Sequence, residues 1–284
     1  MRSLLLLLVI STVLAAQTPQ RRQGDWVVKT TETVENQSII LAGNLIVEGT
    51  GNLTLNNVTL LIERKTPGVY AIRANSGGTL TITNSTIGAA EADVRFDFHV
   101  QGAKFTLRKS KVEGLNDLDY PYNGGGLFLT DTVGAVIEDN TINHSGTVAG
   151  VQLSKCRKTT VRNNVITTPA LNNAVALKMQ WSHEGVITGN RFIRGNVFAG
   201  GCHNNQITDN ELQMTGEGPG VVIFPGSAYN VVARNRFFPA PDALPMCFAV
   251  RVVGSPYPNY ILDNTVSGNR YAFLISYSGH TVVA

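Results

Sequence analysis

One short segment of the sequence places a cation, an acid and a base on a single face. In residues 94–101, Arg95, Asp97, His99 and Gln101 alternate with apolar residues. Successive side chains of a strand point to opposite faces, so these four project together if the segment is a strand. An arginine can neutralise a ligand carboxylate, and a histidine can take the proton next to it. The segment therefore predicts proton abstraction from an acidic ligand, with Arg95, Asp97 and His99 as catalytic residues and Gln101 as a binding residue.

A second group of candidate residues lies in the following stretch, residues 113–126. It carries Asp117, Asp119 and Tyr120, and long loops on rigid scaffolds often hold functional residues. Tyr120 is an alternative to His99 for moving the proton. Asp97, Asp117 or Asp119 could orient the histidine or bind Ca²⁺, which prefers carboxylate oxygens. Asp117 and Asp119 are thus candidate metal ligands, and Ca²⁺ is the cofactor that these residues suggest.

A recurring hexapeptide indicates which elements position these residues. The pattern apolar-x-x-Asn-x-apolar occurs six times, with its asparagine at Asn140, Asn164, Asn190, Asn210, Asn235 and Asn264. Three earlier segments keep the apolar spacing with Val58, Ser85 or Ser110 at the asparagine position, which we call the slot. Slots recur about every 26 residues without helical periodicity, which predicts stacked coils of short β-strands. We expect the slot asparagine to take a left-handed turn conformation and to hydrogen-bond its counterparts in adjacent coils.

The strand that ends about ten residues before each slot should form one sheet with a polar and basic outer face. Lys178 points outward in this scheme and joins Arg95 in neutralising a carboxylate, while Arg73 lies outward nearer one end. The predicted substrate-binding residues on this face are Gln101, Phe128, Thr130, Gln152, Gln180 and Arg251. Such a face suits an extended, acidic glycan.

The repeat resembles that of the right-handed parallel β-helix proteins. That superfamily includes pectate lyases, polygalacturonases, alginate lyases and epimerases, and the NosD-type periplasmic accessory proteins. The resemblance covers residues 26–284 and implies one all-β domain of about nine to ten coils, with polysaccharide along the outer face of one sheet. The Asp-Pro-His-Asp run of the mannuronan epimerases is absent, as are the Asp-Asp and Gly-His-Gly motifs of the polygalacturonases. These absences weigh against an enzyme but leave lyases open, because their catalytic residues vary.

Three functions follow as alternatives. The leading one is a protein that binds, and as a lyase cleaves, an acidic polysaccharide or cell-envelope glycan; a glycoside hydrolase is the second enzymatic choice. A non-catalytic surface scaffold or adhesin is the next. The third is a NosD-like accessory protein with a metal role, for which His183 and His203, each seven residues before a slot, are candidate copper or zinc ligands.

The ends of the chain predict export and one further contact. Residues 1–16 combine Arg2 with an apolar run and small residues, which is typical of a cleaved secretory signal, so we expect a secreted or periplasmic protein of residues 17–284. The apolar run is too short for a membrane span. Residues 25–53 could supply an N-terminal cap and the first coil. The C-terminal end shows no capping pattern, so we expect either that the chain is a fragment or truncated product or that its open edge receives a protein partner.

Charge and cysteine content exclude other classes. The net charge is only +3, and no run of Lys and Arg suggests nucleic-acid binding. The three cysteines are too few for a disulfide scaffold. Cys156 and Cys202 should lie two coils apart, beyond the reach of a disulfide, and are predicted to be small buried residues.

Overall fold

The structure is a computed structural model that describes residues 18–65, 68–118, 124–146, 149–169, 174–214, 218–241, 248–268 and 271–284. Its regular elements are three parallel sheets of eleven strands each and one two-stranded antiparallel hairpin. Apart from the hairpin, strands that follow one another along the chain belong to different sheets, so each circuit of the chain adds one strand to every parallel sheet. This arrangement confirms the predicted all-β parallel β-helix.

The strands are numbered along the chain, and every third one generally joins the same sheet. Sheet A contains β1 (Gln20–Gln23), β4 (Ser38–Ala42), β7 (Thr59–Ile62), β10 (Thr86–Ala89), β13 (Lys111–Leu115), β18 (Thr141–His144), β21 (Val165–Thr167), β24 (Arg191–Ile193), β27 (Glu211–Met214), β30 (Arg236–Pro239) and β33 (Thr265–Val266). Sheet B contains β2 (Trp26–Val28), β5 (Leu45–Val47), β8 (Ala71–Ala74), β11 (Asp97–Gln101), β16 (Leu127–Thr130), β19 (Ala149–Ser154), β22 (Val175–Gln180), β25 (Asn196–Gly200), β28 (Val221–Ile223), β31 (Phe248–Val253) and β34 (Tyr271–Ser276). Sheet C contains β3 (Thr31–Glu35), β6 (Asn52–Asn56), β9 (Thr79–Thr83), β12 (Lys104–Arg108), β17 (Val136–Glu138), β20 (Thr160–Arg162), β23 (Val186–Thr188), β26 (Gln206–Thr208), β29 (Val231–Ala233), β32 (Tyr260–Leu262) and β35 (Val282–Val283). The hairpin pairs β14 (Asp117–Leu118) with β15 (Gly124–Gly125).

The interior is one continuous apolar column enclosed by the three sheets. In β11, Phe98 and Val100 are fully buried, whereas His99 between them faces outward and is half-buried. Apolar residues at alternate positions of the other sheets fill the same interior, from Trp26 in the first coil to Ile261 near the last. A single coil cannot enclose these side chains, so burial depends on the stack of coils.

The slot asparagines form a buried ladder of amides. Oδ1 of Asn164 accepts hydrogen bonds from the backbone N–H (3.0 Å) and the side-chain amide (2.9 Å) of Asn140 in the preceding coil. Nδ2 of Asn164 in turn donates to the carbonyl of Ile137 at 2.8 Å. The same backbone and side-chain pairing continues from Asn190 to Asn264. The predicted coil-to-coil hydrogen bonding of these residues is therefore present.

The predicted left-handed conformation of the slot residue is wrong. The residue before the slot has the positive φ angle, as at Asp139 (57°) and Asn163 (55°), and not Asn140 or Asn164. The reason is that the slot side chain turns inward and is buried, while its exposed neighbour makes the bend. The chain therefore turns one residue earlier than the sequence pattern suggested.

A second asparagine ladder was not predicted. Asn230 Oδ1 accepts from the backbone N–H (3.1 Å) and amide (2.9 Å) of Asn205, and Asn259 Oδ1 does the same for Asn230. These residues lie at the bend between sheets B and C. Their signal in the sequence is an asparagine five residues before the slot in three successive coils.

The two ends of the stack differ. Strands β1 to β3 pair in register with β4 to β6, so the first coil already begins at Gln20, and residues 25–53 contribute ordinary strands. At the other end, Phe273 and Ile275 pair with the core positions Val250 and Val252 but are 37% and 40% exposed. A partner at this edge stays a prediction.

Candidate functional site

The outward side chains of sheet B form two columns in continuous register. The first, which we call the groove column, contains Arg73, His99, Phe128, Gln152, Lys178, Phe198, Val222 and Arg251 on successive strands. The second contains Gln101, Thr130, Ser154, Gln180 and Gly200. The predicted binding residues therefore share one face. Neither column contains a carboxylate, but Asp97 lies on the same face of β11, two residues before His99.

The middle of the groove column is buried rather than solvated. Phe128 and Gln152 are only 3% and 2% exposed although they point away from the core. Gln152 Oε1 has no hydrogen-bond partner among the described residues, and neither has Arg251 Nε further along the column. Buried polar atoms in native proteins are normally paired, so these two unpaired atoms are exceptions on this face. Burial also lowers the pKa of the neighbouring Lys178 ammonium.

His99 is held in place by its neighbours on the next strand. Its ring stacks on Phe128 with centroids 4.9 Å apart and planes at 12°, and Nε2 lies 2.9 Å from Thr130 Oγ1. Partial burial lowers the pKa of His99; nearby Arg73 lowers it further, and Asp131 opposes them. A neutral imidazole at neutral pH can accept a proton, as the predicted base requires.

Two of the predicted cations do not lie beside His99. Strand β11 begins only at Asp97, and the Arg95 guanidinium donates to the carbonyls of Ala92 (2.9 Å) and Val94 (2.8 Å) in its own turn. There it lines a cavity of about 410 Å³ at the bend between sheets A and B. Lys178 is three strands from His99, about 14 Å at a strand spacing of roughly 4.8 Å. The cation on the strand next to His99 is Arg73, which the sequence did not single out for catalysis.

The predicted acidic residues are partly described. Asp97 lies on the same strand two residues before His99, and the Asn116 amide donates to its Oδ1 at 3.0 Å. Asp119 and Tyr120 lie outside the described residues, and the structure places only the backbone of Asp117, in β14. Among the described residues, no three His, Cys, Asp or Glu side chains group as metal ligands. The Ca²⁺ site therefore stays a prediction.

One histidine of the pair predicted for a metal, His183, already uses a ring nitrogen in another contact. The ring centroids of His183 and His203 are 5.0 Å apart, and the backbone N–H of His203 donates to His183 Nδ1 at 3.1 Å. The proton of the neutral ring must then sit on Nε2, which removes the second nitrogen as a ready ligand. Burial, His203 and Arg157 lower the pKa of His183, in keeping with this neutral form. The geometry of the described residues gives the NosD-like metal role no support.

Comparison with known proteins identifies the family. The sequence model of the family described as Right handed beta helix region matches residues 43–170 and 100–243. No curated protein sequence matches the chain. Among the described residues, no helix is long and apolar enough to cross a membrane.

Two solved structures show the same architecture at low identity. A double mutant of the periplasmic alginate epimerase AlgG superposes with a TM-score of 0.53 at 12% identity, covering 89% of this chain and 75% of the other. PfbA, a surface adhesin of Streptococcus pneumoniae, gives 0.53 at 10% identity, with 90% and 83% covered. At these identities the likeness establishes the fold alone. The family match extends over more than half of the residues, and the chain belongs to the right-handed β-helix family.

Proposed function

We propose that this protein binds an extended, acidic polysaccharide along the outer face of sheet B. The observation that carries the proposal is the groove column, which holds Arg73, Lys178 and Arg251 in register and contains no carboxylate; Asp97 lies on the same face, outside the column. Charge of one sign along a cleft attracts a ligand of the other sign.

The spacing of the cations suits a polymer better than a small anion. Arg73 and Lys178 are four strands apart, and Lys178 and Arg251 are three strands apart, or about 19 Å and 14 Å. A small anion can touch only one of them. Each distance spans several sugar units, so one chain carrying repeated carboxylates can reach all three cations.

The same face offers a route to lyase chemistry, which is the finer part of the proposal. Arg73, on the strand next to that of His99, neutralises a uronate carboxylate. Neutral His99 then takes the proton from the carbon α to that carboxylate. The electron pair forms a carbon–carbon double bond as the glycosidic C–O bond breaks, and the departing oxygen takes a proton from water or from a residue such as Tyr120. In this mechanism Asp97, two residues before His99 on the same strand, helps to orient the histidine and is not the base.

The solved neighbours include an alginate epimerase and a surface adhesin, so the fold serves both catalysis and adhesion. Adhesion without turnover is accordingly the alternative function for this groove.

We also propose that residues 1–16 direct export to the periplasm or the outside of the cell. Terminal sequencing of the exported protein tests this directly, since an intact Met1 on exported protein contradicts it.

The experiment uses alginate and polygalacturonate with uncharged dextran as the control. Binding is measured by calorimetry, and lyase turnover by the ultraviolet absorbance of the unsaturated product, with and without Ca²⁺. We expect binding of at least one acidic polymer and none of dextran. Equal binding of dextran, or no acidic polymer bound, contradicts the proposal.

The lyase step is tested separately with His99→Gln. Loss of turnover with binding retained supports His99 as the base. Binding by the wild type without any turnover favours the adhesin function, and unchanged turnover in His99→Gln removes the histidine from the mechanism.

A further inference from the structure

An exposed tryptophan lies on a glycine at the edge of the groove. Trp181 follows β22 at the bend from sheet B to sheet C and is 60% exposed. Its indole covers Gly201 in the next coil so closely that a Cβ there would lie 2.6 Å from Cζ3 and 2.8 Å from Cδ2. Only glycine at this position leaves room for the ring in its present place.

A second aromatic surface covers the preceding glycine. Phe198 and Phe224 stack with centroids 4.6 Å apart and planes at 25°. A Cβ at Gly200 would lie 3.2 Å from Phe198 Cε1 and 3.8 Å from Phe224 Cβ. Gly200 and Gly201 are consecutive, so the indole and the two phenyl rings flank one stretch of backbone without side chains; we call the three rings the aromatic platform.

The aromatic platform continues the groove. Phe198 pairs in register with Lys178, and Gly200 pairs with Gln180. Trp181 directly follows Gln180, and Phe198 and Phe224 lie one and two strands beyond it, so the rings adjoin an ammonium and a carboxamide that can hydrogen-bond a ligand. A surface with polar groups at one edge and bare aromatic faces beside them matches a sugar ring, which has hydroxyls around its rim and an apolar C–H face.

The backbone at Trp181 is also unfavourable for its residue type. Its φ angle is 52°, a conformation that glycine adopts readily and a bulky residue does not. The corresponding bend has a positive φ in other coils too, with glycine at Gly201 (62°) and Gly254 (59°) and polar residues at Asp131 (53°) and Lys155 (54°). The backbone conformation is thus a property of the bend, and what distinguishes Trp181 is a bulky indole that is 60% exposed at a position where polar residues or glycine serve in neighbouring coils.

We propose that Trp181, Phe198 and Phe224 form a stacking site for a sugar ring at the Lys178 end of the groove. This inference rests on the proposed polysaccharide binding and adds an apolar, charge-independent contact to it. The cations then select the charge of the polymer, and the aromatic platform fixes one sugar unit against the sheet.

The two tryptophans allow a direct test, because Trp26 is 1% exposed and Trp181 is the one that a ligand can reach. Alginate oligosaccharides are titrated into the wild type and into Trp181→Gly, which removes the ring and relieves the backbone. The matched control is Tyr277→Gly, which removes another exposed aromatic at positive φ on the same bend.

We expect the wild-type tryptophan emission to shift to shorter wavelength on binding. In Trp181→Gly the shift is lost and calorimetry gives about tenfold weaker binding, with its salt dependence retained; Tyr277→Gly behaves as wild type.

The outcomes separate the two proposals. Wild-type affinity in Trp181→Gly overturns the stacking site and leaves the polysaccharide groove intact. An emission shift with dextran but not with alginate supports stacking and contradicts the acidic groove, whereas no binding of any polymer by the wild type overturns both. A dimer that Trp181→Gly converts to a monomer in sedimentation overturns the stacking site in favour of a protein contact.

Discussion

The imidazole of His99 lies parallel to the phenyl ring of Phe128, with 4.9 Å between their centroids. The two residues are direct partners on neighbouring strands, so the stacking follows from the register of sheet B. It fixes the plane of the histidine while Thr130 meets Nε2 from the same strand as Phe128. His99 thus has a defined orientation before any ligand arrives, which a proton-transfer group requires.

The lowered pKa of His99 predicts a loss of stability in acid. Between its ordinary value of about 6.5 and its lowered value, the unfolded chain binds more protons than the folded one, so a falling pH favours unfolding. The contribution is complete above about pH 6.5 and is lost as the pH falls through the lowered pKa. His99→Gln keeps a polar group near Thr130 without titrating, so its urea midpoint should fall less than that of the wild type between about pH 7 and pH 5. The exposed His280→Gln is the control, and an equal fall in both variants contradicts the prediction.

Replacing a groove cation should weaken binding of an acidic polymer and reduce its salt dependence. Lys178→Gln removes one charge and keeps much of the side-chain volume, so we expect about fivefold lower affinity, equivalent to ~1 kcal/mol. Calorimetry over a series of salt concentrations checks both effects. Lys104→Gln, on the outer face of sheet C, is the matched control. If the two variants bind alike, Lys178 does not contact the polymer.

Removing one slot asparagine should destabilise the stack by about 3 kcal/mol. Asn164→Ala deprives two donors of Asn140 and the carbonyl of Ile137 of their buried partners, and each lost partner costs ~1–3 kcal/mol. Urea unfolding followed by circular dichroism measures the change. Asn204→Gly serves as control, because Asn204 is exposed at φ 56° and glycine suits that conformation; its effect should stay within ~0.5 kcal/mol. Equal effects of the two substitutions would show that the ladder adds no stability.

The two described cysteines should resist alkylation in the folded protein. Burial raises the pKa of Cys202 to about 12 and also raises that of Cys156, and only the thiolate reacts readily. Iodoacetamide at about pH 8 should leave both unmodified until urea is added, as mass spectrometry of their peptides can show. Both are free thiols, as the two-coil separation predicted. Rapid modification of Cys202 without denaturant would contradict its burial.

The fold was predictable because its determinants repeat in the sequence. The spacing of Asn140, Asn164 and the later slots gave the coil length, and strand alternation then gave the outward column with His99, Lys178 and Arg251. Each of these inferences uses position along the chain alone. In a parallel stack with continuous register, equivalent positions of successive coils lie next to each other. These predictions therefore agree with the structure.

The details of the site depend on side-chain packing, which the alternation of inward and outward residues along a strand does not predict. Arg95 could not be placed because its guanidinium turns to the carbonyls of Ala92 and Val94. Alternation shows that Gln152 points outward from sheet B, but its burial depends on which residues pack over that face. The positive φ at Asp139 rather than Asn140 follows from which of two neighbouring side chains enters the core.

The slot ladder has a direction. The side-chain amide of Asn140 donates to Asn164, that of Asn164 donates to Asn190, and each later member to the next along the chain. A newly formed coil therefore has unpaired slot donors until the following coil is in place. Synthesis delivers the coils in this same order, from the N-terminus onward. Each coil emerging from the ribosome thus completes the one before it, and the fold can be assembled by addition at a single growing end.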